Sequence, residues 1–238
     1  MTEVYDALRD LFAHNMFFGL TVTLGGYFLG IALRKKLPIL LFTPLLVSII
    51  VIIVSLKLFK IDYTTYKTQT YPLSYLLTPS TICLAIPLYR QFELVKKNWR
   101  AILAAIVAGT ASNVLIVWTV ALCFHLEYRD YVTFLTKSIT TAIGVGVTEE
   151  LGGNVPITCA VIALSGIVGN ALGDRVLRLC RLYEPIAQGL GIGVASHGIG
   201  TTRALELGET QGAFSGLAIA LTGLLTVLIA PFAALLPL

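Results

Sequence analysis

AILAAIVAGTASNVLIVWTVALCF, residues 101–124, runs for twenty-four residues without a charged side chain. Wound as an α-helix at ~1.5 Å per residue it reaches about 36 Å, enough to cross a bilayer core of ~30 Å. Outward from it, charge-free runs recur at 16–33, 37–56, 71–89, 151–173, 185–202 and 210–238, and a brief one at 138–148. A transmembrane barrel would show ~10-residue segments of alternating polarity, and runs such as 45–55 do not alternate. The pattern predicts an all-α integral membrane protein: a polytopic helix bundle of seven to nine helical segments, some of them interrupted.

Composition agrees. Charged residues make up 13% of the chain, against ~25% in soluble domains. Apolar residues reach 56% and mean hydropathy is +0.85, too greasy for a water-facing surface. Glu3, Asp6 and Asp10 oppose the basic start of a cleavable signal, so the first span is expected to be retained. The net charge of +4 sits in clusters at 34–36, 90–100 and 175–181. Such clusters suit the lipid bilayer and its anionic head groups, and nucleic acid is not an expected partner. Cys83, Cys123, Cys159 and Cys180 show no metal-ligand spacing, so neither a metal nor a cofactor is expected. HExxH and GxSxG motifs are absent and no catalytic residue is proposed, so an enzyme is not the reading.

No polar linker divides the chain, and a single domain over 1–238 is the expectation. A faint echo relates Gly26, Arg34, Pro38 and Ile39 to Gly173, Arg181, Pro185 and Ile186 at one constant offset. It suggests repeat halves at about 16–124 and 137–238, inverted as in secondary transporters; chance similarity between apolar segments is the alternative. Topology stays open. Keeping the 175–181 cluster on the cytoplasmic side makes 138–154 a re-entrant segment, whereas an inverted repeat places that cluster outside.

Two stretches carry candidate chemistry. Around Glu149, Glu150, Gly152, Gly153, Asn154 and Pro156, acids and helix breakers interrupt apolar sequence. They read as a polar mouth with Glu149 and Glu150 as gating or proton-coupling groups, or as an ordinary loop. From Gln188 to Arg203, glycine recurs at 189, 191, 193, 198 and 200, costing a helix ~1 kcal/mol each relative to alanine. Close helix packing explains Gly189 and Gly193 but not Ser196, His197, Thr201, Thr202 and Arg203 gathered beyond them. The expectation is a helix interrupted between 196 and 202 and restarting at Thr201. It would aim free N–H groups at a small anion that Arg203 clamps. Glu206, one turn on, would pair with Arg203 when the site is empty. Scaffold histidine and interfacial arginine are the plainer alternatives. Thr78, Ser80 and Thr81 around Pro79 suggest a second break lined with hydroxyls.

These residues also carry a family resemblance. LAIPLY at 84–89, TEELGG at 148–153 and above all SHGIGTTRALELGE at 196–209 resemble the LrgB/CidB family, with likeness from about 16 to 231. Gly198, Thr78 and Ser80 depart from the family pattern at both expected breaks. The resemblance implies two functions. One is a carrier of small monocarboxylates, 2-hydroxy or 2-keto acids such as glycolate, glycerate and pyruvate. The other is a holin- or antiholin-like oligomeric pore or regulator of murein hydrolase activity and cell lysis. It also implies a multi-pass place in the bacterial cytoplasmic (inner) membrane beside a smaller LrgA/CidA-type membrane partner. Gly169 with Gly173, and Gly212 with Gly216, are candidate contacts for a homo-oligomer.

Overall fold

A computed structural model describes residues 10–12, 15–37, 42–83 and 85–238. Every regular element among them is helical: α1 Met16–Lys36, α2 Pro44–Leu58, α3 Tyr63–Gln69, α4 Tyr71–Tyr75, α5 Leu77–Cys83, α6 Ala85–Arg90, α7 Phe92–Phe124, α8 Tyr128–Leu135, α9 Thr141–Glu150, α10 Val155–Leu179, α11 Pro185–Leu207 and α12 Glu209–Ala233. That is more pieces than the seven to nine expected, because turns cut 63–90 into short helices. Residues up to 82 and residues 83–238 form two compact units. The division falls elsewhere than the proposed repeat boundary.

In the first unit, α1 and α2 pair closely because glycine lets them. A Cβ at Gly30 would stand 2.5 Å from Pro44 Cα, and one at Gly26 3.1 Å from Ser48 Cα. Asn15 caps α1 and Asp62 caps α3. The Thr64 hydroxyl and amide hold the Asp62 carboxyl below the usual carboxylate range. The interruption expected near Thr78–Thr81 falls at Leu76, two residues earlier, and helix α5 runs through Thr78 and Ser80 themselves. Pro79 sits in the first turn of α5, where helix N–H groups have no intrahelical partner to lose. Thr78 and Ser80 are exposed; the Thr81 side chain lies outside the described residues. So do Pro38 and Ile39 of the proposed repeat. Gly26 touches a helix backbone, whereas a Cβ at its supposed counterpart Gly173 would come no nearer than 3.8 Å to Ile192, so the two glycines do different work.

The second unit is apolar outside, and beside apolar core residues such as Phe214 and Ile162 it buries many small polar ones. Leu115, Ile116 and Val120 on α7, Leu164 and Val168 on α10, and Leu224, Leu228 and Phe232 on α12 face outward. Thr110, Thr148, Thr158, Thr201 and Ser215 are buried to within 1% exposure. That inversion suits a hydrocarbon solvent and no aqueous one. Five stretches, 17–36, 71–90, 92–124, 155–179 and 209–233, are long and apolar enough to cross a membrane. The chain is a polytopic helical membrane protein.

Two elements of this unit enter the bundle and turn back. Helix α8 runs inward from the end of the bundle at His125, where the Tyr131 hydroxyl donates to the Ala233 carbonyl at 2.9 Å. The chain turns at 136–140, where Ser138 bonds Asn113 of α7. Helix α9 then returns, with Gly144 against Ile162 and Thr148 against Thr158. At ten residues, about 15 Å, α9 is half a span. This matches the re-entrant reading of 138–154.

Helix α11 reverses too. Gly191, Ile192 and Ser196 face Leu177, Gly173 and Gly169 of α10 in turn, so this arm runs antiparallel to α10. Beyond His197 the order inverts: Ile199 meets Gly166, Thr202 meets Asn170 and Arg203 meets Asp174. Ile192 and Ala204, which a straight helix would hold about 18 Å apart, pack together on Leu177. Both ends of α11 therefore lie at the end of the bundle marked by the Arg90–Glu209 ion pair. The sequence reading expected an interrupted span; the structure has a hairpin.

Helix α12 crosses beside both arms. A Cβ at Gly189 would lie 2.4 Å from the Gln211 carbonyl oxygen, and one at Gly193 2.5 Å from that of Ser215. The packing role foreseen for these glycines is real, and it is backbone against backbone. Gly169 and Gly212, proposed for contacts between copies, are filled from within by Ser196 and Leu205. Gly193→Leu is therefore expected to prevent a stable fold or to lower the melting temperature in detergent sharply, since overpacking costs ~1–3 kcal/mol even where side chains can yield. Gly146→Ala, with open space around the new methyl, should match or exceed wild type; thermal unfolding of both purified variants checks this.

Candidate functional site

The two hairpins enter from opposite ends, and their tips meet. Lys137 of the first and Ala195 with Ser196 of the second line one shallow, open cavity of about 380 Å³ against α10, beside the outward-facing Leu164 and Val168. A larger cavity of about 730 Å³ extends along α7 and the first arm of α11, from Asn98 and Glu184 at the Arg90 end to Asn113, Lys137 and Ser138 in the interior. Small residues make much of its wall: Ala101, Ala105 and Gly109 from α7 and Ala187, Gly191 and Ala195 from α11 line it.

The reversal at the second tip rests on one residue. His197 has φ 41° and ψ −143° and is 4% exposed. Positive φ in a residue other than glycine stores ~1–3 kcal/mol, so the surroundings must hold it there. They do so at several points. The His197 ring bonds the Ile162 carbonyl through Nε2 at 3.0 Å. The Thr201 hydroxyl lies 3.0 Å from the His197 carbonyl and 2.7 Å from Ser215 Oγ. Asn170 donates to the Ile199 carbonyl at 3.0 Å and to Thr202 Oγ1 at 2.8 Å. Gly166 and Gly169 let the tip approach: a Cβ at Gly169 would collide with Ser196 Oγ at 1.6 Å. Glycine would make the turn without strain, so a histidine here is used for its side chain.

The expected residues separate under this geometry. The interruption foreseen between 196 and 202 falls at His197, and the helix resumes at Gly198 rather than at Thr201. Ser196 borders the smaller cavity. His197, Thr201 and Thr202 already hold partners in the protein. Arg203 pairs with Glu206, as its spacing foretold, and also with Asp174, which the sequence reading passed over. Its Nε donates to both Asp174 oxygens at 3.1 Å, Nη2 to Asp174 Oδ2 and Nη1 to Glu206. All three guanidinium nitrogens are engaged, tying the second arm to α10.

At the opposite end, Glu149 and Glu150 are exposed at the C-terminus of α9 and form no ion pair among the described residues. Two acids there oppose the helix dipole at ~0.3–1 kcal/mol each. Asn154 caps α10, accepting from Ile157 N at 3.3 Å, and its own N–H donates to Thr133 Oγ1 at 2.8 Å. Buried threonines stitch the first hairpin to α10: Thr136 to Thr148 at 3.2 Å, Thr148 to Thr158 at 3.0 Å, and Thr158 to the Thr133 carbonyl at 3.1 Å. Sequence reasoning missed this cluster and missed Lys137. The available signal was TKS at 136–138, a cation between two apolar segments too short to span. Among the described residues no group of His, Cys, Asp or Glu is arranged to hold a metal.

The chain matches the LrgB-like family over residues 23–236. Relatives from Bacillus mycoides, Bacillus cereus and Bacillus anthracis, each named antiholin-like protein LrgB, are 36% identical over 216 residues, which cover 90% of this chain and 94% of each relative. No solved structure matches it.

The Arg203–Asp174 contact joins two elements that need each other, so its disruption should be cooperative. Asp174→Asn and Arg203→Met are each expected to lower thermal stability, and the double variant to lose less than the sum, with a coupling of about 1–3 kcal/mol. A double-mutant cycle on melting in detergent measures it; additive losses would make the contact incidental.

Proposed function

The chain belongs to the LrgB-like family, and from that premise we propose that it carries small monocarboxylates across the bacterial cytoplasmic membrane. The observation behind this reading is the meeting of two half-span hairpins, entering from opposite ends, at cavities bordered by their tips. A continuous helix offers a solute only side chains. A reversal inside the membrane also offers backbone groups and a joint that can move, and carriers place substrate sites at such interruptions. Ser196 and the His197 turn sit at the joint, with Thr201 and Thr202 behind them. Arg203, foreseen as the anion clamp, takes the part of a latch between the second arm and α10, and a substrate carboxylate competing with Glu206 would loosen it. Glu149 and Glu150 are the proposed gate at the other end, taking up protons as carboxylates move.

A second reading has its own support in the name shared by the relatives, antiholin-like protein. In it several copies, or this chain with a smaller LrgA/CidA-type membrane protein, form a pore or a regulator of lysis.

Reconstitution separates the two. The carrier reading expects saturable uptake of labelled glycolate, glycerate or pyruvate into proteoliposomes, competed by unlabelled acid, with an entrapped dye retained. Dye escape without saturable uptake would reject it in favour of a pore. Glutamine at both 149 and 150 should flatten the pH dependence of uptake; an unaltered pH profile would leave these acids as surface groups.

A further inference from the structure

We infer that Lys137, at the tip of the α8–α9 hairpin, is the positive charge that receives the substrate's carboxylate. The inference rests on the carrier reading above and places its binding site. Lys137 lies in the turn between α8 and α9, and its side chain borders both cavities. Ala195, at the facing tip, is common to the same two cavities. An anion held at Lys137 is thus within reach of the large cavity, which extends toward the Arg90 end, and of the small one beneath Ser196.

Lys137 differs from the bundle's paired cations in what surrounds it. Arg203 has Asp174 and Glu206, Arg90 has Glu209 and Lys96 has Glu93. Lys137 forms no ion pair among the described residues, and its Nζ donates to the Ser138 hydroxyl at 3.2 Å. Ser138 in turn donates to Asn113 Oδ1 at 3.1 Å, and Asn113 Nδ2 donates to the Leu135 carbonyl at 2.9 Å. That relay fixes the ammonium's position and leaves two of its three N–H bonds to be satisfied. The acid nearest in kind, Glu184, lines the far part of the large cavity, and its carboxylate already caps α11 through the Ala187 amide at 2.9 Å. A cation inside a membrane protein without a protein counter-ion calls for a ligand that supplies the charge.

The surroundings also set the ligand class. One cation balances one negative charge, which favours monocarboxylates over di- and tricarboxylates. Ser112 in the large cavity and Ser196 in the small one offer hydroxyls to a 2-hydroxy or 2-keto oxygen. A lysine, unlike an arginine fork, releases its ion without breaking two parallel bonds, which suits transport better than retention.

The test uses the full-length protein in detergent and in proteoliposomes, with pyruvate and glycolate as probes. Wild type should show saturable thermal stabilisation by both acids and little competition from succinate. Lys137→Gln should keep or raise the melting temperature of the unliganded protein, since it removes an uncompensated charge. It should weaken apparent affinity for both acids by about tenfold or more. Lys137→Arg should retain part of the binding. A second readout needs no folded variant: after reductive ¹³C-methylation of wild type, the Lys137 resonance should move saturably on titration with pyruvate. If Lys137→Gln binds and transports within about twofold of wild type, or the resonance stays still while wild type binds, the assignment to Lys137 is overturned and the carrier reading survives. If wild type neither binds nor transports either acid, the carrier reading falls and takes this site with it.

Discussion

A chain that reverses inside a membrane must find protein partners for the backbone groups its turn releases, because hydrocarbon offers none. Residues 83–238 are organised around two such reversals. At His197 the obligations are met by Asn170, which reaches the Ile199 carbonyl, by Thr201, which reaches back to the His197 carbonyl, and by the His197 ring on Ile162. At 136–140 they are met by Asn113, which bonds the Leu135 carbonyl, and by the threonine cluster beyond it. The bonds that cross between helices are available only where the helices come very close. That is the office of Gly166 and Gly169 on α10 and of Gly189 and Gly193 against α12.

The same economy governs charge. Inside low-dielectric surroundings a cation either meets a carboxylate or costs free energy. Arg203 meets two, and becomes a strut between the second arm of α11 and α10. Lys137 meets the Ser138 hydroxyl and, among the described residues, no carboxylate, at the point where both hairpin tips and both cavities come together. The strut holds the hairpin in one arrangement. The unmatched ammonium gives an anion a reason to enter. Under the proposed carrier reading both features are needed, and their separation onto different residues would let binding and closure be tuned independently.

The cavity along α7 and α11 widens this picture to the names borne by the relatives. The cavity is lined in part by alanine, glycine and serine, with Lys137 at its inner part. The glycines that looked suited to assembling copies, Gly169 and Gly212, are occupied by this chain's own side chains. The outward leucines and valines of α7, α10 and α12 remain as exposed apolar surface.

Hydropathy and glycine content alone determined that this chain is an all-helical membrane protein and that its backbone breaks near Ser196 and His197; for 138–154 they left a re-entrant segment and an inverted-repeat crossing both open. Those signals are local: a run of apolar residues, a scarcity of charge, or a cluster of helix breakers means the same in any surroundings. The Arg203–Glu206 pair was legible for the same reason, being three residues apart on one helix. The tertiary structure alone decided that α11 turns back at His197 instead of crossing, that Asp174 shares Arg203, and that Lys137 stands where two tips meet. Each depends on contacts between distant residues, such as Asn170 with Ile199 and Asp174 with Arg203, each twenty-nine positions apart. A glycine-rich break permits a helix to continue or to reverse, and so too Pro79 permitted a break at Thr78 that its place in the first turn of α5 made unnecessary. Which way the chain goes is set by the helix that packs against it, and sequence periodicity carries no record of that neighbour.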